Sequence, residues 1–254
     1  MKANSLLSTL CVALSAVLVS STANAQNADN YKVVKVQGEI QRVKTGNLLS
    51  TGENVSSDEN FNFKTNYSRA IVVNKEKGCV ILAAQANNSG AQFLPSTNNM
   101  SVRAAIPSQP SEILEYYYGE IVVTGFDSIL IDEEKLKING DSYFTVKYNA
   151  DSSEISERVV CKDEKLVFPE SILEKKPQKV TLCYNDEFGE SGKTEFSPVF
   201  VEAEMLKVEL DLIFSTLDCG RDEKIDAATE YVNSFYGKTT KEAVEAWVKN
   251  NMNL

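Results

Sequence analysis

The chain is expected to fold as a mainly β, multi-domain α+β protein: a small β-barrel or sandwich module, a β-sandwich-like module, and then two to three helices. Three observations predict this. Short apolar, β-branched runs separated by turn residues recur from residue 31 to about residue 196. A polar, proline-bearing stretch over residues 86–111 interrupts them. Beyond Ser197 the apolar period lengthens to that of a helix. The expected organisation is a leader over 1–25, a β module over 26–85, a linker over 86–111, a second β module over 112–196 and a helical segment over 197–254.

The first 25 residues read as an address. Lys2 supplies a positive start, Leu6–Val19 is mostly apolar and uncharged, and Ala23-Asn24-Ala25 is a small-x-small cleavage pattern. Cleavage between Ala25 and Gln26 is expected to release an exported chain, placing it in the periplasm or at the cell surface. The leader is shorter than the roughly 20 apolar residues a spanning helix needs, and no later stretch approaches that length, so no membrane span is expected after cleavage.

In the first β zone, Tyr31-Lys32-Val33-Val34-Lys35-Val36 has β-branched character, and Lys44-Thr45-Gly46-Asn47 reads as a turn. Phe61 and Phe63 alternate with polar neighbours. Ala70-Ile71-Val72-Val73 is apolar throughout, as a buried strand would be, and Lys75-Glu76-Lys77-Gly78 turns it into Cys79-Val80-Ile81-Leu82.

After the linker, Ile121-Val122-Val123 and Ile129-Leu130-Ile131 are apolar runs. Asn139-Gly140 between Leu136-Lys137-Ile138 and Tyr143–Tyr148 predicts a hairpin, because both residues tolerate positive φ. Further strands are predicted at Arg158–Cys161, Lys165–Phe168 and Val180–Tyr184.

Ser197 is a candidate N-cap with Pro198 at the first helical position. Val199, Ala203, Leu206, Leu210, Ile213 and Leu217 then trace one helix face. Val208, Leu210, Leu212 and Phe214 also alternate, which leaves a strand as the rival reading; the helix-forming composition favours the helix. Asp222 and Glu223 open a second helix that Gly237 ends, and Thr239 with Glu242 forms a capping-box pattern before a third.

Val36-Gln37-Gly38-Glu39-Ile40, Gly46 with Leu49, Gly52-Glu53-Asn54-Val55, Phe63 and Ser68-Arg69-Ala70-Ile71-Val72 together resemble the FecR-type domain of bacterial envelope proteins, over about residues 33–82. The resemblance implies a small β module that binds a polymer or a protein. Signalling members of that family carry a cytoplasmic segment and a membrane span before this domain, whereas this chain carries a leader, so the resemblance does not extend to a sigma regulator. The overall layout is similar to that of secreted Bacteroidota proteins.

Composition narrows the chemistry. There is no histidine, which removes imidazole-based nucleophile systems, His-ligated zinc and a histidine pH switch. A net charge of −10 with scattered Lys and Arg argues against nucleic acid. No cofactor motif occurs: Gly38, Gly46 and Gly52 lack the pattern of a phosphate loop. The acidic groups Asp132-Glu133-Glu134 and Asp186-Glu187 with Glu190 lack calcium-loop spacing and read as solvated turns.

Cys79, Cys161, Cys183 and Cys219 remain after the leader, an even number in an oxidising compartment. Cys161 and Cys183 lie in neighbouring apolar strands and are the candidates for a disulfide; buried free thiols are the alternative. Tyr116-Tyr117-Tyr118 offers an interaction surface, although rings on one element should divide between core and solvent.

These features imply a non-catalytic protein of the cell envelope, acting as an interaction or structural module toward another envelope or secreted protein. A periplasmic ligand-binding or sensor module, with a pocket between the two β zones and residues 86–111 as hinge or lid, is the second reading. A carboxylate-based hydrolase is the third. Intact-mass analysis of the protein recovered from the envelope or medium is expected to give a chain beginning at Gln26; a chain retaining Met1 and found in the cytosol would remove the export premise.

Overall fold

A computed structural model of the 254-residue chain describes residues 28–85, 90–95, 106–123, 128–132, 134–136 and 138–252. Ala25 and Gln26 lie outside the described residues. The fold is mixed α+β, with several sheets followed by C-terminal helices.

The first module contains β1 (Asn30–Gln37), β2 (Ile40–Arg42), β3 (Asn54–Ser56), β4 (Phe61–Phe63), β5 (Arg69–Asn74), β6 (Gly78–Ala84) and β7 (Ala91–Pro95). Five of them form a sheet in the order β3-β1-β5-β6-β7, and β2 pairs with β4 apart from it. Residues 91–95 are therefore a strand of this sheet, within a stretch whose polar flanks and prolines predicted a linker. Gly38, at φ +75, turns β1 toward β2; a Cβ there would sit 2.6 Å from the Ser68 hydroxyl, so both the conformation and the close approach require glycine.

The sheet is buried on both faces. Tyr31, Val33, Ala70, Val72, Val80 and Leu82 pack on one side with Ile40, Leu49 and Phe61 from the β2–β4 region. Val34, Ile71, Val73 and Cys79 point the other way, into a core that the C-terminal helices complete. The uninterrupted apolar run of β5 follows directly, because alternate residues serve different cores.

The second module contains α1 (Pro110–Tyr116), β8 (Gly119–Val122), β9 (Ser128–Leu130), β10 (Tyr143–Ala150), β11 (Ser153–Arg158), β12 (Val160–Lys162), β13 (Lys165–Val167), α2 (Glu170–Lys175), β14 (Val180–Asp186) and β15 (Gly189–Val199). One sheet runs β11-β10-β14-β15-β8 and a smaller one runs β12-β13-β9. Phe144, Val146, Leu182 and Phe196 of the large sheet share a core with Ile129 and Leu166 of the small one, and Ile113 of α1 and Ile172 of α2 also enter it.

The hairpin predicted at Asn139-Gly140 is not formed as predicted. Leu136 lies in a turn and is buried, Lys137 lies outside the described residues, and the Asn139 side chain accepts hydrogen bonds from the backbone N–H of Asp141 and Ser142. That Asx turn competes with a hairpin for the same residue. Glu187-Phe188 joins β14 to β15 in a two-residue hairpin loop, as do Asp151-Ser152, between β10 and β11, and Asp163-Glu164, between β12 and β13; the last two loops have φ of 51°, 66°, 53° and 58°. Positive φ at both central residues matches the strand twist.

The C-terminal segment forms α3 (Ala203–Thr216), α4 (Arg221–Phe235) and α5 (Lys241–Asn251). Leu206, Leu210 and Ile213 are buried on α3 as the helical spacing predicts. Ser197 and Pro198, however, belong to β15, and Glu202 precedes the first turn of α3. Ser197–Val199 pair with β8 in parallel, beyond the point where pairing with β14 ends at Phe196, so the missing N–H of Pro198 breaks no ladder on that side. The cap of α5 is Thr240, which accepts from the Ala243 N–H at 3.2 Å; Thr239 is buried, and its N–H donates to Asn233.

The helices thus share a core with the first sheet although the second module separates them in sequence. The joint is closed at β8, where the Lys238 N–H donates to the Glu120 carbonyl at 2.8 Å and the Val122 N–H to the Lys238 carbonyl at 3.1 Å. Gly237, at φ +148, permits this approach: a Cβ would lie 3.0 Å from the Glu120 carbonyl oxygen. Among the described residues, no helix is long and apolar enough to cross a membrane.

Leu210 is wholly buried in the shared core. Leu210→Ala is expected to lower stability by about 2–5 kcal/mol. Denaturant unfolding followed by Trp247 fluorescence, a reporter in the same core, checks this; a loss under about 1 kcal/mol would mean that the helices do not share their core with the sheet.

Candidate functional site

A groove of about 800 Å³ runs between the first sheet and α4. Helical spacing builds one wall: Glu223, Asp226 and Glu230 follow at intervals of three and four and therefore share a face, while Ile225, Ala228 and Val232 face the core. Tyr31 of β1 and Phe93 of β7, which belong to the core on the sheet's other face, also border the groove, and their rings stack at 4.7 Å with an interplanar angle of 22°. Cys79 of β6 also lines the groove. A second cavity of about 490 Å³ shares Asp29 and Tyr31 with it and continues toward Lys75 and Thr216.

The groove carries a negative excess. Among the described residues Lys77 is the one lining cation, and it is hydrogen-bonded to Asp29, a contact that holds the ammonium pKa above its ordinary value. Asp226 is bridged by Lys241 at 2.5 Å. Glu223 is exposed and forms no ion pair with another of the described residues. Burial pushes the Cys79 thiol up to about 12, with the charge of Glu230 adding to the effect, so the sulfur remains a protonated thiol at neutral pH. Burial likewise raises the Tyr31 phenol. The wall therefore offers carboxylates, stacked rings and a neutral thiol, which suit electrostatic attraction and apolar contact.

The position of α4 is set at its other end by a buried polar cluster. The β-bulge between Val33 and Lys35 turns Val34 and Lys35 toward the helical side together. Val34 enters the core, and the Lys35 ammonium reaches Glu209 of α3 at 2.8 Å. Tyr236 donates to the other Glu209 oxygen at 2.6 Å and is also hydrogen-bonded to Lys35, whose ammonium lies 4.2 Å from the Tyr236 ring centroid. Glu209 is only 4% exposed. Burial, followed by the hydrogen bond to Glu209, holds the Tyr236 phenol far above its ordinary range. Burial and the same carboxylate do so for Tyr231, whose hydroxyl is buried and unpaired.

The predicted tyrosine run divides as expected between core and solvent. Tyr117 is buried, edge-on to Phe168 at 4.9 Å; Tyr116 is half-buried and takes Lys238 against its ring; Tyr118 is 72% exposed. Cys161 and Cys183 are not bonded to each other, and all four described cysteines are free thiols. The reason is geometric. Cys161 packs against the second core, whereas Cys183 alternates with the core residue Leu182 and points to the opposite face of the large sheet, where Glu190 and Lys147 surround it.

Of the acidic groups, Asp132 is engaged by Lys135 and Glu133 lies outside the described residues; Glu190 is held between Lys147 and Lys193. Among the described residues, no group of three or more Cys, Asp and Glu side chains converges as a metal site. The groove itself went unpredicted, although the acidic spacing on α4 was legible; its other wall depends on a strand assigned to the linker. Set against family models, curated proteins and solved structures, the chain matches none of them.

Because both phenols have raised pKa values in the folded state, the unfolded chain releases its protons first as pH rises. Stability from this source is complete below pH 10 and is expected to fall above it, by about 1.4 kcal/mol per pH unit for each tyrosine. Alkaline titration at 295 nm should leave these two phenols silent until the protein unfolds. A Tyr236→Phe chain should unfold at higher pH; ionisation of all tyrosines near pH 10 in the folded state would contradict the buried cluster.

Proposed function

We propose that this is an exported, non-catalytic binding protein of the cell envelope that holds a partner macromolecule in the groove between its first sheet and α4. One observation carries the reading: a cavity of about 800 Å³ combines an acidic helix face with a stacked aromatic pair. A cleft of that size falls in the range of ligand-binding sites. The protonated state of Cys79 and the absence of histidine leave the groove without the usual nucleophile and base. The leader-like N-terminal segment and the resemblance of residues 33–82 to FecR-type domains support an envelope setting. The groove lies beside α4, a different place from the pocket between β modules that a sensor reading requires; most of the hinge segment, residues 86–89 and 96–105, falls outside the described residues.

The test is site-specific photocrosslinking in the native envelope. A photoreactive residue at Ala227, which lines the groove, is expected to give one predominant protein adduct. The same residue at Glu195, on the large sheet of the second module, should not. Equal, diffuse labelling from both positions, or hydrolysis of a glycan or ester library well above blank by the purified protein, would overturn the reading.

A further inference from the structure

We propose that the free edge of β11 pairs with the same edge of a second copy of this chain, antiparallel about a two-fold axis through Ser156, so that the two large sheets run on as one.

The edge is open. β11 pairs with β10 along its whole length, without a bulge, and with no other strand of the described residues. Which backbone groups it leaves unpaired follows from the loop. Ala150 and Ser153 close the two-residue loop Asp151-Ser152, so they exchange hydrogen bonds, and so does every second pair beyond them. The Val159 N–H, donating to the Phe144 carbonyl at 2.9 Å, continues the same series. Glu154, Ser156 and Arg158 therefore turn their N–H and carbonyl groups outward. The other edges differ: β2, β3, β4, β9 and β12 are three residues each, β7 ends at Pro95, and Lys238 hydrogen-bonds along β8. Short length, proline and cover are devices that blunt a sheet edge, and β11 has none of them.

Charge selects a second copy. Pairing about Ser156 places Ser156 opposite itself, Glu154 opposite Arg158 and Ile155 opposite Glu157. Opposite charges meet at both ends of the pair, and no like charges face each other. An axis through Ile155 would leave both carboxylates opposite serines, and one through Glu157 would set two carboxylates against each other. Glu154, Ser156 and Arg158 share the sheet face away from the second core, because Ile155 and Glu157 alternate with them toward Tyr148 and that core. Arg158 is fixed on that face by the Asn139 carbonyl, to which it donates, and by the Tyr143 ring 4.3 Å away; its guanidinium retains further N–H donors for a carboxylate. Glu154 is exposed and forms no ion pair with another of the described residues. A strand of another protein would have to reproduce this alternation of charge, which the chain itself already carries.

The experiment is sedimentation velocity on the purified exported chain over a concentration series. A single six-residue strand pair is a small interface, so dimer is expected at high concentration and monomer on dilution. Glu154→Arg should weaken the dimer by about tenfold or more, by setting like charges opposite each other, and Glu154→Arg combined with Arg158→Glu should restore it. Ser156→Pro removes an N–H that faces outward, so it should abolish the dimer and leave the β10 ladder intact. Cysteine crosslinking in a Cys219→Ser background, which removes the exposed thiol, reads the register. Ser156→Cys faces itself across the axis at about 5.5 Å between Cα atoms and should form a disulfide between copies under copper–phenanthroline oxidation, whereas Glu154→Cys alone should not. Monomer at every concentration, an unchanged dimer in Glu154→Arg, or crosslinking of Glu154→Cys equal to that of Ser156→Cys would overturn the assignment. The groove reading stands or falls separately, on the Ala227 crosslink.

Discussion

The first sheet cannot be stable with one face covered. In β5 the residues Ala70, Ile71, Val72 and Val73 are all buried, and they alternate between two cores. The β2–β4 region covers one side. Exposing Ile71, Val73, Val34 and Cys79 on the other would place several buried apolar side chains in water, at about 1.5–3 kcal/mol for each large one. A layer from the C-terminal segment supplies that cover. The chain therefore leaves the first module, builds the second and returns. Closing so long a connection adds little entropy beyond that of a shorter one, because the penalty grows only with the logarithm of length. Strands β8 and β15 pair in parallel where the chain enters and leaves the second module, and Lys238 joins the end of α4 to the same place.

Apolar contact alone leaves the helices free to slide over the sheet. The Lys35–Glu209–Tyr236 cluster removes that freedom. A buried carboxylate is tolerable only where its partners are in register, so displacing α3 by one turn would leave Glu209 unpaired in the core. A bulge in β1 makes the arrangement feasible, by turning a charged residue to the same side as its apolar neighbour. The aromatic rings of Phe235 and Tyr236 pack against the Lys35 ammonium and carry the constraint to the end of α4. The groove lies toward the opposite end of that helix.

Features set by local periodicity were legible in the sequence. The apolar run at residues 70–73, the turn at 75–78, the spacing of Leu206, Leu210 and Ile213, and the end of α4 at Gly237 all follow from side-chain period or backbone permissiveness. Features set by competition between local and distant partners were not. Asn139 and Gly140 have hairpin chemistry, but the Asn139 side chain closes its own turn, and two-residue hairpin loops fall instead at Asp151-Ser152, Asp163-Glu164 and Glu187-Phe188. Ser197-Pro198 has the form of a helix start and is instead held in strand geometry by β8, which lies far back in the chain. The disulfide candidates lie in strands of similar composition, yet which face each cysteine occupies depends on register, and register places them on opposite sides of a sheet. The groove was hidden for the same reason, since it joins α4 to β1, β6 and β7 across the intervening module.

The electrostatics of the groove and of the whole chain act over different ranges. A net charge of −10 produces a field around the chain, but salt screens it beyond about 8 Å under physiological conditions, and it carries no orientation. Orientation has to come from contacts inside the screening length. Along the groove the α4 carboxylates lie within that length, and Asp226 among them is already matched by Lys241. The Lys35–Glu209–Tyr236 seam lies within that length and largely out of water, so it is a charged contact that fixes a direction in this fold.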